Sequence, residues 1–160
     1  MNKVFFDLEW NTGFLDGNSF DEIIEIGAVK TDEEYRQIDG FRRLIRPVIY
    51  RKMNPYIQKI LAITMKDLQG EEPLAAVAKV FFDWCGDCDT LIAWSGNDFG
   101  VLEKNLAHIG MKIPEQLGRY DVQMAYAYRT ENSIRNYALK TAVEAMELPE
   151  PEGQEYHDAY

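Results

Sequence analysis

The apolar run Val4-Phe5-Phe6 leads directly into Asp7-Leu8-Glu9, and this junction constrains the fold more than any other stretch. Its residues read as a buried strand over 3–8. Side chains alternate across an extended strand, so Asp7 and Glu9 point one way and Leu8 the other. Two like charges held that close repel unless protons or cations lie between them. A donor set of oxygens alone suits hard ions such as Mg²⁺ or Mn²⁺. Taken alone, the pair also fits a solvated strand end with two surface acids.

At 160 residues and 46% hydrophobic, the chain has the size and apolar content of one domain with a substantial core. It shows no internal repeat, low-complexity tract or polar linker, so a single domain over 1–160 is expected. No stretch approaches a membrane span, and the opening Met-Asn-Lys-Val-Phe-Phe meets Asp7 too early for a signal peptide. A cytoplasmic protein is the resulting expectation.

The net charge of −10 argues against a protein that coats nucleic acid non-specifically. Its distribution matters more. From Phe41 to Lys66 there is no Asp or Glu, while Arg42, Arg43, Arg46, Arg51, Lys52, Lys59 and Lys66 all lie inside that window. Such a window is either a phosphate-attracting surface in an acidic body or a solvated charged loop. Cys85-Gly86-Asp87-Cys88 lacks the further ligands a zinc site needs, because the chain has no other cysteine and only His108 and His157 as histidines. It also follows a helical pattern and precedes a strand, the reverse of the redox arrangement, so reduced thiols are expected.

Further along, Glu22 to Lys30 reads as a second strand and 35–45 as a third, ending at Arg46-Pro47. Three strands with short polar connections imply an antiparallel meander. Helical spacing follows over 55–63 and 73–84, the latter with Val77, Val80, Phe81 and Trp84 on one side. Thr90 to Trp94 has the continuous apolar character of a central strand. Ser95 or Asn97 caps the next helix, with Leu102, Leu106 and Ile109 as its apolar stripe and Gly110 as its stop. A short strand near 119–122 leads into a helix through Tyr128, and Ser133 caps a last helix that buries Tyr137, Leu139, Ala142 and Met146. The order predicts an α/β fold with a mixed central sheet flanked by helices.

Asp98 follows the Leu91–Trp94 strand closely, so a sheet placing that strand beside 3–8 would add a third carboxylate to Asp7 and Glu9. On its own, Asp98 also fits a helix cap or a contact with the helix dipole. His157 is a side chain able to titrate near neutral pH.

Together these pieces resemble the DEDDh 3′→5′ exonucleases, the DnaQ-like group of the RNase H-like superfamily, over essentially the whole chain. Phe5-Phe6-Asp7-Leu8-Glu9 is similar to the first motif, Ile24-Glu25-Ile26-Gly27-Ala28-Val29 to the strand after it, and Trp94-Ser95-Gly96-Asn97-Asp98 with Leu102 to the second. His157-Asp158-Ala159 resembles the opening of the third, a histidine followed by an aspartate five positions later. The wording around Trp94 is most similar to the branch containing KapD-like and histone-mRNA-trimming nucleases.

The resemblance implies two Mg²⁺ (or Mn²⁺) ions at Asp7, Glu9, Asp98 and a fourth aspartate, with His157 as general base on the attacking water. It implies hydrolysis from the 3′ end of single-stranded DNA or RNA with release of nucleoside 5′-monophosphates. Trp10, Asn11, Thr12 and Phe14 would contact the last nucleotide, by stacking or wedging, although ordinary loop packing explains them equally well.

Several positions depart from the pattern. Thr12 stands where a glycine is often found, with Gly13 one place later, and Ile60-Leu61-Ala62-Ile63-Thr64 only partly matches a Leu-Thr-Gly-Ile-Thr-like segment. The fourth aspartate would fall beyond Tyr160, and Asp158 has the wrong spacing to replace it, so a C-terminally truncated exonuclease domain is expected. The alternative is a catalytically impaired nucleic-acid or protein-binding module on the same fold.

Overall fold

The computed structural model describes residues 1–131 and 137–149. Strand β1 spans Lys3–Leu15 and β2 Asn18–Thr31, so the first two strands are longer than the sequence pattern predicts. The reason is the Asp16-Gly17 pair, whose φ values of 49° and 81° make the tight turn that matches strand twist. The segment 10–14 is therefore strand, not a loop beyond it.

Strand β3 (Gln37–Leu44) completes the expected antiparallel meander. Strands β4 (Thr90–Ala93) and β5 (Gly118–Asp121) add in parallel on the other side, giving the order β3-β2-β1-β4-β5. β1 thus lies at the centre.

Helices α1 (Pro55–Leu61), α2 (Met65–Leu68) and α3 (Leu74–Cys85) lie between β3 and β4; α4 (Gly96–His108), α5 (Val122–Glu131) and α6 (Leu139–Ala145) follow. The short α2 has no apolar periodicity to announce it and rests on a capping box between Thr64 and Asp67. Ser95, rather than Asn97, caps α4, its Oγ accepting from the Asn97 N–H at 3.1 Å. Ser133 and its capping role lie outside the described residues. Of the expected apolar positions, Val80 and Met146 are exposed, because Val77 with Phe81 and Ala142 take the inward faces of their helices.

Alternation sends one face of β1 into the main core and leaves the smaller cluster to β2. Val4, Phe6 and Leu8 join Ile26, Phe41, Phe81, Leu102 and Leu106 in the main core, with the Phe6 and Phe99 rings 5.1 Å apart. A smaller cluster of Ile24, Met53 and Leu68, with Ile57, Leu61 and Ile63 against it, seats α1 and α2. Between Glu9 and Trp10 the β1–β2 register shifts. Near this bulge, buried Asn105 of α4 accepts from the Ile23 N–H at 3.2 Å and donates to the Asp21 and Val101 carbonyls at 2.7 and 2.9 Å.

Replacing Asn105 with Ala strands buried backbone groups at the bulge. We expect a loss of about 2–4 kcal/mol, read as a fall in Tm of roughly 5–15 °C by calorimetry.

Candidate active site

The pairing of β1 with β4 covers only Lys3–Phe5 against Thr90–Ile92. Past Phe5 this ladder has ended, and the Leu8 N–H is taken by the Asp98 carboxylate. A side chain three residues into α4 thereby continues what the strand began, and it draws Asp98 beside Asp7. Asp98 is buried, 6% exposed. Burial first, then the charges of Asp7 and Asp121, push its carboxyl up to about 7, against the opposing pull of the Leu8 N–H.

Asp121 ends β5, and its Oδ1 accepts from the Met124 N–H at 2.9 Å, holding the start of α5. The close approach requires Gly96: a Cβ there would lie 2.7 Å from Asp121 Oδ2. Sequence reading missed Asp121; its place directly before a helical pattern was the available signal.

Asp7 and Glu9 both line a cleft of about 510 Å³ over the face of the sheet opposite the main core. Register fixes its floor. Asp7, Gly27 and Arg42 form one row across three strands, and Glu9, Glu25 and Leu44 the next. A Cβ on Gly27 would meet nothing within 4 Å, so the space above the row is open. Glu25 is buried and accepts a charge-assisted hydrogen bond from Arg42 Nε, which occupies the neighbouring row. Glu25 and Arg42 were not singled out as site residues from the sequence, because only the register brings them level with Glu9 and Asp7.

The cleft wall is built by Ile60, Leu61, Ala62 and Ile63, with Trp94 and Leu139 also lining it. Trp94 is fixed by donating from its indole to the Tyr137 carbonyl at 3.1 Å. Ala62 closes α1 with φ 54°, the left-handed conformation normally given to glycine, at the position where the similar family segment has its glycine.

Trp10, Asn11, Thr12 and Phe14 are not among the residues that line this cleft. Trp10 packs on the main core. Asn11 is 1% exposed and accepts from the Asn54 N–H at 2.7 Å while donating to the Lys52 carbonyl at 3.1 Å. Thr12 donates to Asp21 at 2.8 Å, and Phe14 is exposed. Gly13 accommodates Tyr50, whose ring would lie 2.6 Å from a Cβ placed there. His157 and Asp158 lie outside the described residues.

Among the described residues no three His, Cys, Asp or Glu side chains are arranged to hold a metal ion. Asp7 and Asp98 nonetheless supply a like-charged carboxylate pair of the donor chemistry that hard cations take, with Glu9 in the same cleft. The cysteines behave as expected of structural thiols. Both are buried and reduced, and burial pushes Cys85 up to about 12.

A mixed five-stranded sheet flanked by helices, with Asp7 and Glu9 on its central strand and Asp98 just after the parallel neighbour β4, has the RNase H-like fold. The chain matches the RNase T family model, described as an exonuclease, over residues 4–160, and it belongs to this DEDDh, DnaQ-like exonuclease family. It is 34% identical over 112 residues to a PolC-type DNA polymerase III of Clostridium perfringens, covering 69% of this chain and 7% of that relative. The chain thus spans a small part of the curated relative it matches.

Among solved structures, the nuclease domain of 3′hExo bound to rAMP superposes with TM-score 0.73 at 14% identity, covering 97% of this chain and 83% of that one. Cell-death related nuclease 4 gives TM-score 0.73 at 14% identity over 99% of this chain and 58% of that one. E. coli exonuclease I with a dT13 oligonucleotide gives 0.66 at 18% identity over 94% and 36%. At these identities the likeness is one of fold.

Two stability measurements test this geometry. The Asp98 carboxyl binds its proton more tightly folded than unfolded, so the metal-free protein loses stability as pH rises from about 4 through about 7. The slope from this group is at most about 1.4 kcal/mol per pH unit. Asp98→Asn should flatten that part of the urea-midpoint profile in EDTA. Ala62→Gly should relieve the left-handed strain and raise Tm by roughly 2–4 °C.

Proposed function

We propose that this chain is a divalent-metal-dependent 3′→5′ exonuclease that hydrolyses single-stranded DNA or RNA from the 3′ end and releases nucleoside 5′-monophosphates. The observation carrying this reading is the buried Asp98 carboxyl drawn against Asp7 where the β1–β4 ladder has ended, in a chain of an exonuclease family. Repulsion between these groups gives the pair a use for a cation, and perturbed carboxyls in a cleft favour a catalytic role.

Asp7, Glu9 and Asp98 would hold Mg²⁺ or Mn²⁺. When bound, such ions supply an activated water and charge stabilisation at the leaving 3′ oxygen. His157 would take the proton from the attacking water. Arg42, kept in line with Asp7 by Glu25, would orient a phosphate over the open floor at Gly27. Of the segment following Glu9, Phe14 would present its exposed ring to bound nucleic acid beyond the cleft, Trp10 braces the strand from below, and Asn11 and Thr12 shape its course through their hydrogen bonds.

A second reading is a catalytically impaired nucleic-acid or protein-binding module on the same fold. Incubating 5′-labelled RNA and DNA oligonucleotides with Mg²⁺ or Mn²⁺ separates the two. A ladder shortening from the 3′ end, abolished by EDTA and reduced at least about 100-fold by Asp7→Ala or Asp98→Asn, is the expected result. Oligonucleotides that are bound yet never shortened favour the second reading.

A further inference from the structure

Within the acid-free window from Phe41 to Lys66, the exposed positions of 51–60 lead away from the cleft along the chain. In α1, Ile57 and Leu61 face the small core, so the outward face carries Tyr56, Lys59 and Ile60, at spacings of three and four residues. Ile60 lines the cleft at the C-terminal end of this face, and Tyr56 lies about 6 Å further along the axis. Arg51 and Lys52 continue the surface past the N-terminus of α1. All these side chains are exposed, Tyr56 by 69%. Among the described residues no carboxylate forms an ion pair with Arg51, Lys52 or Lys59.

The backbone beneath these cations is tightly held. The buried Glu22 carboxylate accepts from the N–H groups of Val48, Ile49 and Tyr50 at 2.6, 2.7 and 2.9 Å. Asn11 grips the Lys52 carbonyl and the Asn54 N–H, and Asn54 in turn caps α1 through the Tyr56 N–H at 2.9 Å. A charged loop with no task beyond solvation has no need of two buried polar anchors, each of which carries a desolvation cost. Here two strands of the central sheet hold the cations on the stretch of chain that leads away from the cleft.

We propose that this surface is the track for the single-stranded nucleic acid on the 5′ side of the end bound in the cleft. Lys52, Lys59 and Arg51 meet successive phosphates, and the Tyr56 ring takes a base by stacking. The proposal rests on the exonuclease reading above for the direction of the strand. It also explains how a body of net charge −10 takes a polyanion: the approach is confined to the one long stretch without acids.

The test is binding of a labelled ten-nucleotide single strand by the full chain in EDTA, followed by fluorescence anisotropy across a salt series from low ionic strength. Lys52→Gln with Lys59→Gln should weaken binding and lower the slope of log K against log salt by about 1.4. Tyr56→Ala should weaken it roughly 5- to 150-fold. The equal charge change Lys79→Gln with Lys104→Gln, on exposed positions of α3 and α4, should alter neither.

Wild-type protein that fails to bind at low salt, or a Lys52/Lys59 variant that matches the Lys79/Lys104 control, overturns the proposal. A strand bound with the expected slope but never shortened in Mg²⁺ or Mn²⁺ supports the track and overturns the exonuclease reading instead.

Discussion

The short parallel pairing between β1 and β4 is the constraint on which the cleft depends. Only three residue pairs form, and the Leu8 N–H just beyond them is satisfied by Asp98. A backbone donor at the centre of a sheet cannot be left dry, so the hydrogen bond serves the fold and also fixes a carboxylate beside Asp7. The requirement of β1 for a partner and the placement of charge at the site are met by the same contact. Burial, with the charge of Asp7 beside it, then raises the affinity of that carboxyl for a proton.

The same economy holds on the other side of β1. Glu22 and Asn11 are buried polar residues of the two central strands, and both use their side chains to hold the 48–54 segment. Neither lines the cleft, yet both hold the segment that leads into α1 and so to the wall from Ile60 to Ile63. Gly13 and Gly96 serve this arrangement by absence of a side chain. One admits Tyr50 against the sheet and the other admits Asp121 against the start of α4.

Much of this was legible in the chain itself. The meander, the α/β order and the meeting of Asp7 with Asp98 follow from apolar runs and alternation, since strands and helices advertise their buried faces. The length of β1 and β2 was legible too, in Asp16-Gly17, a strong hairpin signal that the apolar pattern alone obscured, because Phe14, Leu15 and Phe20 in the outer part of that hairpin do not alternate regularly with its polar residues. The short α2 was hidden because four residues carry no period. The 10–14 segment looked like a loop at a binding site, whereas Asn11 and Thr12 are occupied with hydrogen bonds inside the strand pairing.

By itself, the sequence determined the kind of chemistry available: carboxylates spaced by two on a strand, another after a second strand, and cations gathered where acids are missing. These follow from local geometry, in which spacing sets direction. Only the tertiary structure decided which charges share a space. Register placed Arg42 level with Asp7 and Glu25 level with Glu9, and burial raised Asp98 while leaving Asp7 exposed. Proximity across strands depends on how the sheet assembles, and desolvation depends on what covers a group, neither of which any single stretch of chain encodes.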